Sequence, residues 1–274
     1  MTKRTKRIGV FDSGFGGINI LKGIVKGLPE YDFLYLGDNA RTPYGTRSKE
    51  VIYEFTKQAV DFLFKNNCEL IIIACNTASS DALRKIQQEY LPKKYPNKRV
   101  LGVLIPSVEE AVIVTKNNRV GVLATEGTVK SESFIREFKK LNNDIKVFQK
   151  ACPLLVPLIE SGEHKTKHAK MIVENYLTSL KKNKVDTIIL GCTHYGIIES
   201  DIRKISGSEI KILSGSKIIP KKLKNYLERH KEIEKVLTKK GKVHFHTTDL
   251  TDKFEMFGSK FFGKKISAKV VKID

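Results

Sequence analysis

Short apolar runs rich in Ile, Val and Leu recur along the chain at 7–11, 33–36, 70–74, 100–103, 120–123, 145–148, 187–190, 210–213 and 243–245, each bounded by polar or turn residues. Several are continuous rather than alternating, which is the pattern of parallel strands buried on both faces. Between them, apolar positions at helical spacing predict amphipathic helices over 17–27, 49–66, 79–89, 132–141, 165–182 and 217–238. Strand and helix patterns alternate, and no low-complexity linker interrupts them. The expected fold class is therefore α/β, with parallel sheets flanked by helices.

Sliding the sequence past itself exposes a repeat. Residues 69–77 (ELIIIACNT) align with 186–194 (DTIILGCTH) at an offset of 117, and 7–14 (RIGVFDSG) with 119–126 (RVGVLATE) at an offset of 112. Two matches in the same order at nearly the same spacing predict two related α/β domains. In such sheets ligands bind beyond the carboxyl ends of the strands, so a site between the domains is expected to draw on the polar residues that follow each run.

Composition narrows the class. The chain has 274 residues, enough for about two domains, with 41% hydrophobic and 29% charged residues, an ordinary globular balance. No run approaches the ~18 apolar residues of a membrane span. The basic start at 1–7 leads directly into an apolar strand and a Gly-rich turn, so no signal peptide is expected and the expected compartment is the cytoplasm. Lys and Arg exceed Asp and Glu by 50 to 30, giving a formal charge of +20. These lysines are spread along the chain and interleaved with acids, the pattern of a solvated surface. Nucleic acid is not an expected partner, although the charge suits a small anionic substrate.

The four cysteines are Cys68, Cys75, Cys152 and Cys192. None form a C-x-x-C pair, which argues against zinc knuckles and thioredoxin chemistry. His244 with His246, and His164 with His168, have spacings that metal sites use, but no carboxylate or cysteine spacing completes either set. No metal is expected. A lone buried cysteine ordinarily only packs. Cys75 and Cys192 differ because they occupy equivalent places in the repeat, each just past an apolar strand and followed by Asn76-Thr77 or Thr193-His194. Two thiols facing one another from two halves suit removal of a proton from a carbon acid and its return on the opposite face. Asp12 beside Cys75, and His194 beside Cys192, are candidate proton-handling partners. Other polar strand ends are the Gly-rich turn 12–17, the loop 38–45 and the segment 152–162, which ends near Glu160.

Asp12-Ser13-Gly-x-Gly-Gly, Gly37-Asp38-Asn39 with Pro43-Tyr44-Gly45, Ala74-Cys75-Asn76-Thr77-Ala78-Ser79, Val156-Pro157 with Glu160, and Gly191-Cys192-Thr193-His194-Tyr195 together resemble the bacterial glutamate racemases. The resemblance covers about 7–215, with a weaker match in the tail. It implies a cofactor-independent, two-base exchange between L- and D-glutamate that supplies peptidoglycan synthesis, and a homodimer is expected. Cys75 would serve the D-glutamate face and Cys192 the L-glutamate face, assisted by Asp12, His194 and Glu160. Substrate would be held by Asp12, Ser13, Pro43, Tyr44, Gly45, Asn76, Thr77, Thr193 and His194. The implied domains are 1–101 plus 215–274, and 102–214. The chain departs from the family pattern at Gly196, where proline is usual, at Ser214-Gly215-Ser216, where Asp-Ser-Gly is common, and at Ile18-Asn19, where Leu-Ser or Leu-Thr is more usual. A racemase for another acidic amino acid such as aspartate, and a basic nucleic-acid-associated protein on the same scaffold, are the alternative readings. The Phe-rich positions Phe254, Met256, Phe257, Phe261 and Phe262 are expected to pack a helix.

Overall fold

Ten strands form two parallel sheets in a computed structural model that describes residues 5–274, apart from the side chains of 252 and 253. The first four residues of the basic start lie outside the described residues. The strands are β1 (Arg7–Asp12), β2 (Phe33–Gly37), β3 (Cys68–Ile73), β4 (Arg99–Gly102), β5 (Arg119–Ala124), β6 (Lys146–Ala151), β7 (Thr187–Gly191), β8 (Lys211–Leu213), β9 (Val243–Thr247) and β10 (Ala268–Val270). The six-stranded sheet runs β10-β9-β2-β1-β3-β4 and the four-stranded sheet β6-β5-β7-β8. The cores β2-β1-β3-β4 and β6-β5-β7-β8 thus share one order. Ile8 lies opposite Leu70 in the first sheet and Val120 opposite Thr187 in the second. The two sequence offsets map the first pair onto the second, so the repeat is visible in the strand register as well as in the sequence.

Continuous apolar runs are needed because both faces of each sheet are covered. In β1, Ile8 and Val10 enter one core while Phe11 enters another. Each expected strand is present. The strand β10 was not anticipated, and neither was the helix Leu104–Val114, which is apolar on nearly every side and so lacks a helical stripe. The helix expected over 79–89 begins earlier, at Asn76, and breaks into Asn76–Asp81, Leu83–Lys85, a π-turn over Ile86–Tyr90 and Leu91–Lys94. The helix expected over 217–238 ends its main stretch at Arg229. In the helix Asp252–Phe262, residues Phe254, Phe257, Phe261 and Phe262 are buried as expected, but Met256 points outward and is 57% exposed. No helix is long and apolar enough to cross a membrane among the described residues.

The chain returns to its starting sheet through a glycine-lined contact. Helix Gly215–Arg229 lies on helix Ile18–Gly27 so closely that a methyl group at Gly23 would stand 2.1 Å from the Ser216 carbonyl oxygen, and one at Gly27 would stand 2.9 Å from Pro220 Cβ. A glycine inside a helix costs about 1 kcal/mol relative to alanine, and the close approach of the two helices offsets that. Gly23→Ala is therefore expected to destabilise the protein by about 1–3 kcal/mol through overpacking, despite alanine's better helix propensity. Denaturant titration checks this, and an unchanged or raised midpoint would contradict the contact.

Candidate active site

Asp12 ends β1 with its carboxyl fully buried. Its Oδ2 accepts the N–H groups of Gly14 at 3.3 Å and Gly17 at 2.9 Å, whereas Oδ1 has no hydrogen-bond partner. The turn must be glycine-rich, since a methyl group at Gly17 would stand 2.5 Å from Asp12 Cβ. Burial pushes the Asp12 carboxyl up to about 6, with the nearby His194 charge and the Gly17 and Gly14 N–H groups holding it from going higher. Cys75 follows β3 and caps the next helix. Its sulfur accepts from Ala78 N–H at 3.5 Å and its thiol donates to Ser13 Oγ at 3.5 Å. Burial, and then the Asp12 charge, push the Cys75 thiol up to about 12, so it stays protonated at neutral pH.

The second half presents a different pair. Cys192 follows β7, and His194 Nδ1 lies 3.9 Å from its Sγ. His194 Nε2 lies 3.0 Å from Glu160 Oε1, at the end of helix Leu155–Glu160. Burial by itself would push the imidazole down, but contact with Cys192 and Glu160 outweighs it and holds His194 up at about 10. Both ring nitrogens then carry protons at neutral pH, one aimed at sulfur and one at carboxylate. The Phe15 ring meets the imidazole edge-on with centroids 5.5 Å apart, and Phe257 stacks behind Phe15.

Small residues let the halves close tightly over these groups. A methyl group at Gly16 would stand 2.6 Å from His194 Nδ1, and one at Gly45 2.9 Å from Thr125 Cβ. Thr77 Oγ1 lies 3.1 Å from Thr125 Oγ1 and 3.5 Å from Thr128 Oγ1, a hydroxyl cluster across the seam. Cys75 and Cys192 are 5% and 8% exposed, and each sulfur is near enough for charge on Cys192 to raise the Cys75 pKa. The cavity that Cys192 and Thr193 share with Asn76 is only about 10 Å³, room for at most one water. An outer cavity of about 290 Å³ lies beside Glu160, between Phe15, Asn39, Thr42 and Thr251. Glu160 therefore stands between the buried imidazole and the outside.

Asp12, Ser13, Cys75, Asn76, Thr77, Cys192, Thr193 and His194 are all buried at the carboxyl ends of β1, β3 and β7. Thr193 lies beside the Asp12 carboxylate. Tyr44 is buried too, but its hydroxyl donates to Asp38 Oδ2 at 2.5 Å, and Arg41 Nε donates to the same oxygen at 2.7 Å. Asp38 thus folds the loop and engages the Tyr44 hydroxyl. Pro43 and Gly45 belong to that loop, and Gly45 carries it across to Thr125. Thr125 and Thr128 were not anticipated as site residues. The repeat held a signal, because Thr125 is the counterpart of Ser13 at the offset of 112. All four cysteines are free, and among the described residues no group of three or more His, Cys, Asp or Glu is arranged to hold a metal ion.

Two matched sheets with polar strand ends converging on paired thiols define a racemase scaffold, and the sequence relationships agree. The Asp/Glu/Hydantoin racemase family matches residues 8–219, and the chain belongs to that family. It is 37% identical over 262 residues to a glutamate racemase of Geobacter metallireducens, covering 95% of this chain and 94% of the other. Among solved structures it resembles the glutamate racemase isoform RacE1 of Bacillus anthracis, with a TM-score of 0.89, 32% identity and 98% of each chain covered. It also resembles the glutamate racemase of Francisella tularensis in complex with D-glutamate, with a TM-score of 0.88, 34% identity and 99% of each chain covered.

Proposed function

We propose that this protein interconverts L- and D-glutamate by two-base proton transfer at the α-carbon. The observation that carries the reading is the matched pair of sulfurs, Cys75 after β3 and Cys192 after β7, within electrostatic reach of each other in one buried site. A protonated His194 stands with Nδ1 3.9 Å from Cys192 Sγ, while Cys75 keeps its proton. Cys192 Sγ then takes the α-proton of L-glutamate, and the Cys75 thiol delivers a proton to the opposite face. The reverse sequence consumes D-glutamate. Asp12 assists Cys75, and Glu160 holds His194 to its task.

Asp12 Oδ1, which lacks a partner, suits the substrate ammonium. Ser13, Asn76, Thr77, Thr193 and the Pro43-Tyr44-Gly45 loop supply donors for its two carboxylates. In a site this buried, such donors act far more strongly than in water. The domains we assign are 1–101 plus 215–274, and 102–214, and they part to admit substrate. A homodimer in the cytoplasm that feeds D-glutamate to peptidoglycan completes the proposal. Relatives of 32–37% identity named as glutamate racemases support the choice of substrate.

The test follows α-hydrogen exchange and optical rotation in deuterated buffer with each enantiomer of glutamate and of aspartate, without added cofactor. Both glutamate enantiomers should converge on an equal mixture, with aspartate much slower. Carbonyl-trapping reagents should leave turnover intact, since the two thiols need no imine. Absence of exchange, or faster turnover of aspartate, would overturn the assignment.

Glu160→Gln tests the His194 pairing. Removing the carboxylate charge lowers the pH at which His194 loses its second proton, so the alkaline limb of kcat should move to lower pH. A drop in kcat of about tenfold is expected, less than the ~10²-fold of a group that transfers the proton itself, because Glu160 acts through His194. A pH–rate profile superimposable on wild type would contradict the pairing.

A further inference from the structure

The turn Thr193–Ile198 and the start of helix Ile18–Gly27 fit together through two reciprocal notches. Gly16 makes room for the His194 ring, and Gly196 makes room for Asn19: a methyl group at Gly196 would stand 2.3 Å from Asn19 Nδ2 and 3.5 Å from Ser214 Oγ. The Asn19 Nδ2 is buried without a hydrogen-bond partner. A buried, unpaired donor is destabilising, so the stability of Asn19 itself does not account for its placement. Asn19, Gly196 and Ser214 also border the small cavity that Cys192 lines. The fold gathers these three residues at one spot, although 177 positions separate Asn19 from Gly196 in the chain.

We propose that Asn19 is a positioning residue. Its carboxamide occupies the notch at Gly196 and thereby sets the turn that aims His194 Nδ1 at Cys192 Sγ. Asn19 acts through that turn and not on the reacting atoms. The catalytic readout rests on the glutamate racemase reading, while the contact itself does not.

The experiment is a double-mutant cycle of Gly196→Ala, Asn19→Ala and the pair together. Gly196→Ala should lower kcat/KM about tenfold, since a small misplacement of a catalytic group is costly. The loss must be equal in both directions, because the enantiomers have equal free energy. What separates positioning from general loosening is the substrate isotope effect: it should grow for 2-deuterated L-glutamate, whose proton Cys192 takes, and not for the D-enantiomer. Asn19→Ala alone should lower kcat/KM about threefold to fivefold, wild-type activity there overturning the positioning role, and the double variant should recover to within about twofold of it, a strongly non-additive cycle. Wild-type activity of Gly196→Ala, a loss that shortening Asn19 does not relieve, or isotope effects that grow alike for both enantiomers would each overturn the proposal. Wild-type turnover of glutamate, measured alongside, tests the functional reading separately. Should that turnover be absent, the same cycle read in thermal unfolding decides the contact, and additive melting shifts would overturn it.

Discussion

Cys75→Ala and Cys192→Ala each lose racemisation by at least ~10³-fold, as expected when one of two obligatory proton-transfer groups is removed. Neither loss is compensated from elsewhere. Cys152 is buried and its thiol is pushed up to about 12, chiefly by burial, and Cys68 is the first residue of β3, at the end of the strand away from Cys75, with a thiol pushed up likewise. The two variants should also differ from one another. With Cys75 gone, Cys192 can still take and return the α-hydrogen of L-glutamate on one face, so whatever solvent exchange remains is confined to L-glutamate. With Cys192 gone, it is confined to D-glutamate. Proton NMR in deuterated buffer reads both outcomes, and inversion at near wild-type rate in either variant would end the two-thiol account. A crystal with glutamate bound gives the geometric counterpart. With reacting contacts of about 3–3.5 Å on each side, the two sulfurs should stand about 6–7 Å apart.

Asp12→Asn is expected to make the protein more stable and far less active. Asp12 has a folded-state pKa of about 6, raised first of all by burial, against about 3.9 in an unfolded chain. A carboxyl raised in this way is no burden below pH ~4, where both states are protonated. Its cost grows as pH rises from about 4 to about 6, where the unfolded chain already carries the charge while the buried carboxyl keeps its proton, and it is complete above 6. At pH 7 the difference amounts to about 2–3 kcal/mol, and asparagine removes it while still accepting the Gly14 and Gly17 N–H groups. The stability gap between variant and wild type should therefore be largest near neutrality and shrink on acidification towards pH 4. Turnover should fall by about 10²-fold or more, and the wild-type rate should decline on the acid side near pH 6. Paired denaturation and pH–rate curves test both parts. A destabilised variant would show that the charge is worth more to the fold than burial takes away.

The outline of this molecule was legible because its strands are buried on both faces. A run such as Leu70 to Ile73 has no polar position to spare, and the repeat marks its counterpart in the second sheet. Legibility failed where the signal was structural rather than periodic. The helix Leu104–Val114 buries one face, Leu104, Ser107, Val108 and Ala111, but apolar Ile105 and Ile113 stand on its exposed side, so no polar face marks it, and the three residues of β10 are too few to show a pattern. At the site, each cysteine announced itself by its place after a strand. The link between His194 and Glu160 could not be derived from spacing, because it spans 34 residues and depends on how helix Leu155–Glu160 docks. Tyr44 shows the opposite case: its side chain belongs to the loop's own hydrogen bonds with Asp38, which no motif discloses. The meeting of Asn19 with Gly196 likewise exists only once the halves have closed.

The strand β9 pairs with β2, Phe33 lying opposite Val243, so the first sheet is stitched from distant parts of the chain. During synthesis the sheet holding Cys192 has all its strands by residue 213, whereas β2 waits for residues 243–247. Until then β2 offers an open hydrogen-bonding edge, a template for pairing with other chains. Premature termination between these points should therefore yield aggregates rather than a weakened enzyme, and the growing chain is most in need of chaperone cover over that interval.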